Sequence, residues 1–78
     1  MIATHSIKEI SFRDNIMTLL IDDKEVNILL DKVSRKLLNA NSMQRDFYTI
    51  SPSGYGIHWP LIDEDLSVES LLKFSELN

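Results

Sequence analysis

Cysteine is absent from this 78-residue chain, which excludes disulfides and thiolate-ligated metal centres. Secreted domains this small usually depend on such staples, so a reducing cytoplasm is the expected setting. Glycine and proline number two each, too few for a collagen-like or low-complexity chain. No apolar run approaches the roughly 20 residues of a membrane span. The opening Met1-Ile2-Ala3-Thr4-His5-Ser6 lacks a basic region followed by an apolar one, so no signal peptide is expected. With 44% hydrophobic and 26% charged residues, the composition is that of an ordinary globular protein and argues against disorder. A single domain over residues 1–78 is expected. At this length it buries only roughly 60% of its unfolded surface, so its stability is modest.

Positive charge is scarce in the second half. Residues 1–45 hold seven basic and six acidic side chains, and residues 46–78 hold one and six. The net charge of −4 therefore resides in the C-terminal portion. Such a surface repels nucleic-acid phosphate and attracts a basic partner.

The first third has the pattern of an antiparallel meander. Ile10 and Phe12 fall two apart, and Asp14-Asn15 supplies a turn. Ile16–Ile21 is apolar almost throughout and short enough for a central strand. After the turn Asp22-Asp23-Lys24, Val26, Ile28 and Leu30 alternate as in a strand with one face on a core. The period then changes. Val33, Leu37, Leu38 and Ala40 predict a short amphipathic helix, and Ser42 is a candidate cap for a further helical turn through Phe47.

Tyr48-Thr49-Ile50 and Gly56–Trp59 read as two more strands around the turn-forming Ser51-Pro52-Ser53-Gly54. Pro60, which has no ladder donor, ends the second. Ser67 is a suitable N-cap for a terminal helix carrying Val68, Leu71, Leu72 and Phe74. The expected fold is α+β: a small antiparallel sheet, made of the N-terminal three-stranded meander plus two later short strands, with a short central helix and a C-terminal helix.

The unusual residues concentrate between Gly54 and Leu66, which holds both glycines, the one tryptophan, His58, Pro60 and the run Asp63-Glu64-Asp65. His58 and the three carboxylates are ligand types. Consecutive carboxylates diverge, however, and no second histidine is near in sequence, so no metal or other cofactor is expected. Just ahead of a helix starting near Ser67, the carboxylates suit the positive end of its dipole. General acid–base work by His58 with Asp63 or Asp65 lacks an evident nucleophile. Alternation places Trp59 in the core with Ile57 and turns His58 the other way. Gly54-Tyr55-Gly56 lacks the rest of a phosphate-loop pattern and any following lysine, so it reads as backbone freedom around Tyr55.

Gln44-Arg45, Gly54-Tyr55-Gly56-Ile57-His58-Trp59-Pro60, Ile62-Asp63-Glu64-Asp65-Leu66-Ser67 and Leu71-Leu72 together resemble a family of small bacterial proteins, domain of unknown function 2442. The likeness covers nearly the whole chain. Many relatives carry an aromatic pair and a proline where Val33-Ser34-Arg35 stands here, and often tryptophan in place of Phe47. The resemblance implies no named activity. It does imply genes often adjacent to a second small uncharacterised family, domain of unknown function 4160, as in a toxin–antitoxin pair.

The expected function is a non-enzymatic protein-interaction module, the antitoxin-like partner of a neighbouring small basic protein. Its expected contacts are Tyr55, His58, Asp63, Glu64 and Asp65. One alternative is a nucleic-acid-binding regulator using Lys32, Arg35, Lys36 and Arg45; another is a small enzyme centred on His58. The sequence leaves the oligomeric state open.

Overall fold

The computed structural model describes residues 5–52 and 54–75. Among these residues, six strands form two antiparallel sheets of three, and four helices accompany them. The first sheet is β1 (Ile7–Arg13), β2 (Ile16–Ile21) and β3 (Lys24–Leu29), paired in chain order with β2 central. Its register follows from two-residue turns: Arg13 pairs with Ile16, and Ile21 with Lys24. Asp22 and Asp23 both take positive φ, the geometry that matches a tight hairpin to the strand twist. The short polar aspartate side chain tolerates that geometry better than most residues. Between Lys8 and Ser11 the β1 register shifts, with Glu9 at positive φ.

The central helical region is three short pieces: α1 (Leu30–Val33), α2 (Arg35–Leu38) and α3 (Ser42–Asp46). Ser34 breaks the first from the second by adopting extended backbone, and its buried hydroxyl accepts the Leu37 N–H. Asn41, rather than the expected Ser42, caps α3. Asn41 and Gln44 exchange side-chain-to-backbone hydrogen bonds of 2.8 and 2.9 Å, a reciprocal pattern that Ser42 could form only with a residue one place further on.

The second sheet is β4 (Thr49–Ile50), β5 (Gly56–Trp59) and β6 (Glu64–Ser67), with β5 central. The strand β6 is absent from the sequence-based expectation. Glu, Asp and Ser are poor strand formers, but a four-residue loop, with Asp63 at positive φ, folds them back onto β5. The acidic run is therefore turn and strand, and the acid in the first turn of α4 (Val68–Ser75) is Glu69. As expected, Ser67 caps α4, its hydroxyl accepting the Ser70 N–H at 3.2 Å.

One apolar cluster serves both sheets. Met17, Leu19, Ile21, Val26 and Ile28 of the first meet Ile57 and Trp59 of the second, closed by Leu30, Leu37, Val68 and Leu71 from the helices. No helix among the described residues is long and apolar enough to cross a membrane.

Candidate functional site

The loop between β4 and β5 is held from within. The Ser51 hydroxyl accepts the N–H groups of Tyr55 and Gly56, both at 3.1 Å, and Gly54 N–H donates to the Ser51 carbonyl at 2.8 Å. From outside, the Val68 N–H of α4 donates to the Tyr55 carbonyl at 2.8 Å. Gly54 has φ +70°, and a Cβ there would lie 1.8 Å from the His5 carbonyl oxygen. These constraints fix the backbone on both sides of Tyr55, while its ring stands 55% exposed.

Strand register sorts the remaining residues by face, since directly paired residues project to the same side. Thr49, His58 and Asp65 form one row. His58 Nδ1 lies 2.6 Å from Asp65 Oδ1, and both side chains are well exposed. Trp59 pairs with Glu64 on the opposite face. Trp59 is fully buried, as the alternation requires, and donates its indole N–H to the Arg45 carbonyl at 3.0 Å.

Glu64 does structural duty there. It accepts the Ser34 hydroxyl at 2.5 Å, fixing the cap of α2, and takes the Asp65 N–H at 3.0 Å. Asp63 uses its carbonyl for Lys36 Nζ, at 2.8 Å, and leaves its carboxylate outside. The three consecutive carboxylates thus diverge. Among the described residues no three histidine, aspartate or glutamate side chains converge as a metal site would require.

A cleft of about 710 Å3 opens where α4 meets the second sheet. Val33, Ile57, Leu66, Leu71 and Phe74 give it apolar surface, and Tyr55, His58, Asp65 and several hydroxyls give it polar groups. The carboxylate at Nδ1 orients the His58 ring as it would a general base. Its Nε2 has no hydrogen-bonded hydroxyl among the described residues, so the pair lacks an engaged nucleophile.

The four basic candidates have separate fates. Arg45 is committed to backbone: Nε and Nη2 reach the Leu37 and Leu38 carbonyls at the end of α2, and Nη1 reaches Asp14 at 2.7 Å. Its guanidinium also stacks 5.3 Å from the Phe12 ring centroid. Lys36 holds Asp63, whereas the side chains of Lys32 and Arg35 are exposed and make no hydrogen bond or ion pair with the described residues.

A family model, Protein of unknown function (DUF2442), matches residues 7–76. The chain belongs to this family. No curated protein and no solved structure matches it. In this DUF2442 protein, Gln44, Arg45, Gly54, Trp59 and Glu64 are occupied in building the fold, through capping, carbonyl binding, close backbone approach and burial. Tyr55, Pro60, Asp63, Asp65 and Ser67 are the exposed motif residues, with His58 half-buried beside Asp65.

Sequence reasoning passed over His5, which bridges Asp22 and Glu69 at 2.8 and 3.0 Å. Its partners lie 17 and 64 positions away. No local pattern signals such contacts.

Proposed function

We propose that this DUF2442 protein is a non-enzymatic protein-interaction module of the bacterial cytoplasm, the antitoxin-like partner of a small basic protein. Tyr55, His58 and Asp65 make the contact, with Asp63 at its margin and Glu64 contributing charge from within. The observation that carries this reading is the Tyr55 ring, held outward on a backbone fixed from both sides. A large aromatic on a rigid loop loses little freedom on binding and is the kind of side chain that dominates interface energies. The adjoining acidic surface favours a basic partner and speeds its encounter. The commitment of Arg45 to carbonyls and of Lys36 to Asp63 leaves the nucleic-acid alternative with less of its cationic patch.

The test is capture by the tagged chain from its own host's lysate, with and without nuclease. A stoichiometric small basic protein retained after nuclease supports the module. Material released by nuclease, with binding that weakens log-linearly in salt, supports the nucleic-acid reading and removes this one.

A further inference from the structure

Both ring nitrogens of His5 meet carboxylates: Nδ1 at 2.8 Å from Asp22 Oδ2, Nε2 at 3.0 Å from Glu69 Oε2. A neutral imidazole has one N–H and one lone pair, so it would turn that lone pair on one of the two carboxylates. Only the imidazolium donates to both. The ring is largely covered, with 13% of its side-chain surface exposed.

The two arms differ in strength. On the turn side, Asp22 Oδ1 also accepts the Ser6 N–H at 2.9 Å, and the Asp22 N–H donates to the Ser6 carbonyl at 2.8 Å. The His5 carbonyl meanwhile lies against Gly54. On the helix side, Glu69 is 72% exposed and His5 is the one group among the described residues that its side chain holds.

We propose that His5 is a proton-operated latch between the β2–β3 turn and α4: protonated, it holds Glu69 and seats the first turn of the helix; deprotonated, it keeps Asp22 and lets Glu69 go. Helix α4 forms one wall of the cleft, through Ser70, Leu71 and Phe74, so the latch sets how firmly that wall is held. The charged groups facing His5 among the described residues are Asp22 and, near it, Lys24 from the turn, with Glu69 from α4. The Ser51–Gly56 loop brings none.

The electrostatics act in the same sense. Hydrogen bonds to Asp22 first, and to Glu69 second, raise the His5 pKa above the ordinary histidine value. The Ser6 N–H first, and His5 second, hold Asp22 below the usual carboxylate range. The His5 contribution is complete below the ordinary histidine pKa of about 6.5. It is lost as pH rises through the raised value. The Asp22 contribution is present above the ordinary carboxylate pKa and lost as pH falls through the lowered one. The latch therefore closes between these two titrations and opens on the alkaline side.

An NMR titration of the full chain across about pH 5–9 tests this without any partner. The expected result is a His5 midpoint above that of an ordinary histidine, with the Val68–Leu71 amides following it. Glu69→Gln should lower the His5 midpoint and uncouple those amides, leaving the Ser6 and Asp22 amides still responsive. His5→Gln should abolish the response in α4. A His5 midpoint at or below the ordinary value, or an α4 response unchanged by Glu69→Gln, would overturn the latch.

Discussion

Gly54 meets two independent demands. Its φ of +70° strains any L side chain, and a Cβ would strike the His5 carbonyl at 1.8 Å. Gly54→Ala should therefore destabilise the fold by roughly 1–3 kcal/mol, at the upper end if the His5 backbone cannot retreat. Urea denaturation measures it; a midpoint within error of wild type would show that the loop accommodates a Cβ. Arg45 is the other residue whose role lies outside its local sequence. One guanidinium serves three carbonyls on two segments and a ring face. Lysine cannot reproduce that planar fork, so Arg45→Lys should lose about 1–3 kcal/mol in the same assay. Counting charge along residues 32–45 made Arg45 a surface cation. Its partners at Asp14 and Phe12 are invisible to such a count. Trp59 was legible, because alternation along one strand suffices to face it inward.

At the scale of elements, five of the six strands among the described residues were readable and β6 was missed. β2, β3 and β5 display a buried face at period two, whereas β6 is written in residues that disfavour strands and exists because a hairpin loop lays it on β5. The same shift converts Asp63–Asp65 from a helix-dipole feature into a turn and a strand with alternating faces. The central helix was legible as amphipathic, but its break at Ser34 depends on Glu64, thirty positions away. Ser34→Ala removes the cap of α2 and leaves the Glu64 carboxylate without that donor. Stability should fall by about 1–2 kcal/mol. Glu64→Gln combined with Ser34→Ala should cost less than the sum of the two single changes, since the residues act as one contact. Additive costs would separate cap from carboxylate.

Across the whole molecule, two small sheets are joined by one apolar cluster, so neither is expected to keep its packing without the other. That arrangement follows from apolar alternation in the strands and capped apolar faces in the helices, and the α+β class was readable for this reason. The candidate site was only partly so. The sequence marked out the Gly54–Leu66 segment, but the structure sorts its members into builders of the fold and residues that reach the surface, among them Tyr55, His58, Asp63 and Asp65. That sorting comes from strand register and from contacts with distant residues.

The sorting is also what the proposed function depends on, so the most direct measurement compares partner capture by wild type with that by Tyr55→Ala and Asp65→Asn, each first shown to be folded. Both variants should keep wild-type stability and lose most of the captured basic protein, while Lys32→Ala, on the basic patch, should retain it. Equal capture by wild type and both face variants would contradict the assignment of this face as the contact surface.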